Sequence, residues 1–141
     1  MRERGRVMAL DVGERRIGVA VSDPTRTLAA PLTTLRAQPR DHVLQRIAQL
    51  TREHEIVELV VGLPLTLSGE VGPQAKSVYG FIETLQAAVS LPIHTFDERL
   101  TSVEAERIMV ELGLKPEQRR ARIDEVAASI ILQDFLDANR Q

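Results

Sequence analysis

The segment from Arg6 to Val12, RVMALDV, constrains the fold more than any other part of the chain. Its apolar side chains run on without alternating with polar ones, which is typical of a central strand covered on both faces of a sheet. Such a strand needs a packed layer on each side. The one acidic residue in the run, Asp11, would then lie at the end of a buried strand.

Strand and helix patterns follow one another along the rest of the chain. Residues 13–16 predict a tight turn, so the first two strands form a hairpin. The later elements are predicted from hydrophobic periodicity and from Gly and Pro positions: strands at 17–22, about 31–35, 56–61 and 93–96, and helices from Asp41, from Pro73 to near Ser90, from about Ser102 to Gly113, and from Ile123 to about Ala138. Asp41 is expected to be an N-cap, and Lys115 to Arg122 a polar segment before the last helix.

This order, βββαβαβαα, predicts an α/β fold. Three antiparallel strands come first, and the strand-helix alternation that follows implies right-handed parallel crossovers. The expected result is one mixed sheet with helices on both faces. At 141 residues the chain has the size of one domain, 1–141. No apolar run approaches a membrane span, and the start lacks a secretory pattern, so we expect a cytoplasmic protein with no membrane contact.

The composition excludes several kinds of chemistry. With no cysteine, the chain cannot use a thiolate nucleophile or a cysteine-ligated metal. Its three histidines, His42, His54 and His94, are too dispersed for a zinc signature. The formal net charge of −2 means that contacts with a polyanion must come from local basic patches.

Three acidic positions remain as candidates for metal-dependent chemistry. Asp11 is costly to bury without a partner; its simpler role is that of a turn residue accepting the amide of Gly13 or Glu14. Asp97 and Glu98 follow the last predicted strand, where sites assemble in α/β sheets. Because side chains alternate along a strand, only one of the two should face a site, and a solvated charged surface is the alternative for both.

Asp124 is the third candidate. It begins the stripe of the last predicted helix that continues through Ala127, Ala128, Ile131 and Phe135 and should face the sheet. The small Ala127–Ala128 pair would let this helix approach the sheet closely. The competing interpretation is an acid that stabilises the first turn of its helix.

If the three acids converge, their hard oxygen atoms suit Mg²⁺ or Mn²⁺. Two such ions can activate water and stabilise the leaving oxygen of a phosphodiester, so no protein nucleophile is needed. Basic residues beside the acids are candidates for binding nucleic acid, with simple solvation as the alternative: Arg15, Arg16, Arg99, Lys115, Arg119, Arg120 and Arg122.

At these residues the chain resembles the YqgF/RuvX family, relatives of the junction resolvase RuvC in the ribonuclease H-like superfamily. The resemblance is carried, in order, by residues 10–13 with 16–23, 60–65 with Gly69, 97–101, and Asp124 with 127–128 and 131–132. It implies a ribonuclease H-like fold and a metal-dependent hydrolase. The family's first aspartate falls on Asp11, its later acid on Glu98 with Asp97 as the alternative, and its last aspartate on Asp124.

The resemblance also implies two substrates. One is the 5′ end of the pre-16S ribosomal RNA, which we favour; the other is branched DNA such as a Holliday junction, for which a homodimer would supply two cuts. The residues alone do not separate RNA from DNA. Two other classes stay open: a non-catalytic nucleic-acid-binding module, and an actin-like ATPase, against which the length of the chain argues.

Overall fold

The computed structural model describes residues 5–65, 68–98 and 101–140. The element order is βββαβαβαα, as predicted. The elements are β1 (Arg6–Val12), β2 (Arg16–Ser22), β3 (Ala29–Arg36), α1 (Arg40–Glu53), β4 (Ile56–Leu63), α2 (Pro73–Ala88), β5 (Ile93–Asp97), α3 (Thr101–Glu111) and α4 (Pro116–Ala138). Among the described residues, no helix has both the length and the apolar character that crossing a bilayer requires.

The five strands form one mixed sheet in the order β3-β2-β1-β4-β5. The first three strands pair antiparallel, while β4 runs parallel to β1 and β5 parallel to β4. The β1–β2 turn is closed by the Gly13 amide, which donates to the Arg16 carbonyl at 2.9 Å. The predicted hairpin and the mixed sheet are therefore confirmed, and β1 lies at the centre.

Each face of the sheet is covered by helices, and β1 contributes to both cores. Residues 7–10 are fully buried. Met8 and Leu10 pack with α1 and α2 on one face, whereas Val7 and Ala9 pack with α4 on the other. By the alternation of side chains along a strand, Asp11 belongs to the face that α4 covers.

The last helix is longer than its sequence suggested. α4 begins at Pro116, so the prediction of a separate polar segment before Ile123 was wrong. Pro116 suits the first helical position, and the Gln118 side chain accepts a hydrogen bond from the Lys115 amide at 2.8 Å. The charged residues that follow form a solvated side of the helix, which the hydrophobic pattern alone does not mark.

The start of α1 also differs from the prediction. Asp41 is not the N-cap, because Pro39 occupies that position and the helix begins at Arg40. Asp41 lies in the first turn, where its charge is favourable to the helix dipole. The predicted end of α3 is confirmed, since Gly113 follows the helix with φ +80°.

Candidate active site

Asp11 lies at the carboxyl end of the central strand, on the α4 face. Its partner in the β1–β2 ladder is Gly18. A β-carbon added to Gly18 would lie 1.9 Å from the carbonyl oxygen of Asp124, so the main chain of α4 rests directly on β2 at this point. Asp11, Gly18 and Asp124 are therefore neighbours, although Asp124 is distant in the sequence.

A second glycine allows the same helix to approach β4. A β-carbon at Gly62 would come within 2.5 Å of the Ile131 Cδ1 atom. Of the alanine pair that was expected to permit this approach, Ala128 packs against the sheet, whereas Ala127 packs with Ala105 against α3. The strand glycines were missed; a glycine inside a strand is a known signal of close approach by another backbone.

The surroundings of Asp11 disfavour the ionised form of its carboxyl group. Burial, and secondarily the negative charge of Asp124, raise the pKa of Asp11 from 3.8 to about 6. Within the described part of the chain, no group donates a hydrogen bond to Asp11. The expected turn bond is not seen, because Gly13 donates to Arg16 instead. Asp11 is thus a partly buried acid that a nearby cation would stabilise.

Asp124 is paired with a basic residue of β2. The Arg16 Nε atom donates to Asp124 Oδ2 at 2.7 Å. The Arg16 side chain is 57% exposed and that of Asp124 is 23% exposed, so solvent screens the pair in part. Asp124 lies eight residues after Pro116, beyond the second turn of α4, and therefore does not cap the helix.

The alternation along β5 distinguishes Glu98 from Asp97. His94 and Phe96 both contact Phe135 of α4, with ring centroids 6.0 and 5.9 Å apart. The ladder continues past the strand, because the Glu98 amide donates to the Leu63 carbonyl at 3.1 Å. Glu98 therefore follows His94 and Phe96 on the α4 face, whereas Asp97 belongs to the opposite face.

The structure brings together two of the three predicted acids. Asp11 and Asp124 are neighbours, and Glu98 lies at the same end of the sheet, beyond β4. Within residues 5–65, 68–98 and 101–140, no three His, Asp or Glu side chains lie close enough to hold a metal ion. The metal-ligand role of the three acids stays a prediction.

The predicted nucleic-acid-binding residues fall into two groups. Arg15 and Arg16 form one with the β1–β2 turn. The other lies at the start of α4, and here Arg119 is engaged in the fold: it donates to Glu106 of α3 and to the Leu114 carbonyl, each at 2.8 Å. The remaining members of this group are Lys115, Arg120 and Arg122. The Arg122 Nε atom lies 3.8 Å from Glu125 Oε2. Arg99 lies outside the described residues.

Sequence reasoning did not select Arg36 as a binding residue. It ends β3 directly opposite Arg16 in the β2–β3 ladder. Together with Glu14, Arg15 and Gln38, these two arginines line an open cleft of about 390 Å³. The strand was expected to end at Leu35, and only the register of the sheet sets Arg36 beside Arg16.

The fold is the one seen in solved Holliday junction resolvases. Thermus thermophilus RuvC in complex with a Holliday junction substrate matches with a TM-score of 0.56 at 15% identity, covering 95% of this chain and 94% of that one. The fowlpox virus Holliday junction resolvase matches with a TM-score of 0.54 at 13% identity, covering 94% and 99%. These likenesses establish the fold.

Sequence comparison then gives the family. The model of RuvX, described as Holliday junction resolvase, matches residues 5–138, so the chain belongs to the RuvX (YqgF) family. A Roseiflexus protein (strain RS-1) named "Putative pre-16S rRNA nuclease" is 65% identical over 138 residues, covering 98% of both chains. A Chloroflexus aurantiacus protein (strain J-10-fl) of the same name is 57% identical over 134 residues, covering 95% of this chain and 88% of its own.

Proposed function

We propose that this chain is a divalent-metal-dependent nuclease that hydrolyses nucleic-acid phosphodiesters and processes the 5′ end of the pre-16S ribosomal RNA in the cytoplasm. The observation that carries the proposal is the contact of β2 with α4 at Gly18, which sets the partly buried acid Asp11 beside Asp124. Membership of the RuvX family supports a nuclease, and the names of relatives up to 65% identical support the RNA substrate.

The two acids fit a divalent cation. Both offer hard carboxylate oxygens, and Asp11 is partly buried with no hydrogen-bond donor among the described residues. Asp11 and Asp124 would hold the ion, with Glu98 on the same face as the third ligand. When bound, Mg²⁺ or Mn²⁺ supplies the positive charge that activates a water and stabilises the leaving oxygen.

The protein's own residues would position the substrate around these acids. Arg16 reaches the Asp124 carboxylate and can contact a phosphate bound there. Because phosphate contacts position a strand without reading its sequence, Arg15 and Arg16 would orient the backbone while the acids act on it. Residues 7–10 of β1 are fully buried and would hold the backbone of Asp11, on the same strand, in place.

A second candidate activity is the resolution of Holliday junctions. The description of the matching family favours it, and the same acids would carry out the hydrolysis. Resolution needs two cuts, so it requires a homodimer with two sites, whereas trimming an RNA end needs one. Measuring the mass of the protein in solution tests this requirement directly.

The test is side-by-side cleavage of a pre-16S RNA fragment and a synthetic four-way junction, each in Mg²⁺ and in Mn²⁺. We expect cleavage of the RNA that is abolished by EDTA, by Asp11→Asn and by Asp124→Asn. Asp134→Asn, which changes an exposed acid of the same helix, is the matched control and should leave cleavage unchanged. Binding without any cutting would instead support the non-catalytic module.

A further inference from the structure

We propose that the cleft lined by Arg15, Arg16 and Arg36 binds the phosphodiester backbone of the strand next to the bond that is cut. The inference rests on the proposed nuclease function and deepens it, because it adds a binding groove of defined chemistry. The cleft has a volume of about 390 Å³ and opens at the β1–β2 turn, and among the described residues that line it only Glu14 is acidic.

The first support is an unbalanced positive charge. Arg16 and Arg36 are direct partners in the β2–β3 ladder, and like charges in that position destabilise a sheet. Asp124 balances Arg16. Within the described ranges, neither Arg36 nor Arg15 has a side-chain ion pair or hydrogen bond. A bound anion would compensate for these charges.

The second support is the rigidity of the cleft. The Ala37 amide donates to the Arg15 carbonyl at 2.9 Å, which ties the β1–β2 turn to the end of β3. The Gly13 amide closes the turn itself by donating to Arg16. The arginines thus project from a fixed backbone, and a bound phosphate would order only their side chains.

The third support is that the cleft adjoins the candidate active site on one side and a smaller cavity on the other. Arg16 lines the cleft and also bonds Asp124, so the cleft begins at the candidate active site. On its other side the cleft shares Glu14 and Gln38 with a smaller cavity of about 180 Å³. Arg40 lines that cavity, with its guanidinium carbon 5.6 Å from the centre of the Phe81 ring. Four arginines thus follow one path away from the acids.

The path offers charge and guanidinium forks, which match phosphate groups. Phosphate contacts carry no information about base or sugar. We therefore expect the groove to bind RNA and DNA strands of the same sequence equally, while any discrimination between them arises elsewhere.

The experiment measures binding of short fluorescein-labelled RNA and DNA strands of one sequence across a salt series, with EDTA present so that binding is read without cutting. Removing one guanidinium in Arg36→Ala or Arg15→Ala should weaken binding and reduce the slope of log K against log salt by about 0.7, and the double variant by about twice that. Arg36→Lys keeps the charge and should keep the slope. Arg52→Ala, an exposed arginine at the far end of α1, is the matched control and should behave as the wild type.

If the double variant binds both strands with the affinity and salt slope of Arg52→Ala, the proposed groove is wrong. A loss confined to RNA would overturn it as a phosphate site, because the contact would then read the sugar. Thermal melting of each variant shows that the fold is kept. Wild-type cleavage in Mg²⁺ and Mn²⁺ is tested separately: if it is absent while the slopes change as expected, the nuclease proposal fails and the groove is supported as a binding site.

Discussion

Gly18 and Asp124 are in backbone contact: the space for a β-carbon at Gly18 is already filled by the carbonyl group of Asp124. Gly18 is also the ladder partner of Asp11. One glycine in β2 therefore sets how close α4 lies to the sheet, and with it the separation of the two acids on which the proposed activity depends.

Replacing this glycine should damage stability and activity together. Gly18→Ala forces α4 away from β2, and we expect a loss of about 1–3 kcal/mol of unfolding free energy, the range for overpacking. The cleavage rate should fall by a larger fraction than the unfolding free energy does. Gly80→Ala is the matched control, because a β-carbon there meets nothing within 4 Å. Since alanine favours a helix, this control should gain up to about 1 kcal/mol. Chemical denaturation measures both, and a stable, fully active Gly18→Ala would contradict the contact.

Removing the charge of Asp11 should stabilise the metal-free protein at neutral pH. The pKa of Asp11 is about 6 in the folded protein against an ordinary 3.8, so the folded state holds this proton more tightly than the unfolded state. Its contribution is most favourable below pH 4 and is lost as the pH rises through 6. The difference between these two pKa values corresponds to about 3 kcal/mol of unfolding free energy.

In EDTA at pH 8, Asp11→Asn should therefore be more stable than the wild type by up to about 3 kcal/mol, and it should not cut nucleic acid. Adding Mg²⁺ or Mn²⁺ should raise the melting temperature of the wild type and leave that of the variant almost unchanged. Thermal unfolding over a pH series checks both expectations. If the melting temperatures of the two proteins changed in parallel with pH, burial would not disfavour the charged form of Asp11.

The two neighbouring acids after β5 should differ in their effect on cleavage. We expect Glu98→Gln to reduce the rate by about 100-fold or more, equivalent to about 3 kcal/mol of lost transition-state stabilisation. Asp97→Asn should have a much smaller effect, because its side chain belongs to the other face of the sheet. Single-turnover cleavage rates decide the matter, and the reverse ranking would show that the chain turns at the end of the strand.

Asp23 should matter for stability and not for cleavage. Its carboxylate accepts the amides of Thr25, Thr27 and Leu28 and the Thr25 hydroxyl, which holds the pKa of Asp23 well below its usual range. Asp23→Ala should cost about 1–2 kcal/mol, as for loss of a side-chain cap on backbone amides. This stability is present above pH 4 and declines as the pH falls.

Arg16 begins β2, and Asp23 follows the other end of that strand. The variant should therefore keep its cleavage rate at temperatures where it is folded. Denaturation midpoints and cleavage rates measured on the same preparations check this pair of expectations. A large loss of activity in a folded Asp23→Ala protein would mean that the β2–β3 connection belongs to the site.

The sequence predicted the elements well where local patterns define them. The bounds of β1 and the order of all the elements were correct, because apolar runs, helical periodicity and turn residues act over short distances. The start of α4 was placed too late, since a solvated helical turn rich in charge resembles a loop in sequence. Asp41 was misplaced as an N-cap because the N-cap is Pro39, two residues earlier, and the helix begins at Arg40.

By itself, then, the sequence determined a buried central strand ending in an acid and the mixed sheet with helices on both faces, and it predicted three acidic positions as metal ligands. Only the tertiary structure decided that Asp124 meets Asp11 through Gly18, that Arg16 neutralises Asp124, and that Arg36 lies beside Arg16. The physical reason is that these relationships depend on strand register and on the distance between a helix and a sheet. Both are set by packing between segments far apart in the chain, which no local pattern of residues encodes.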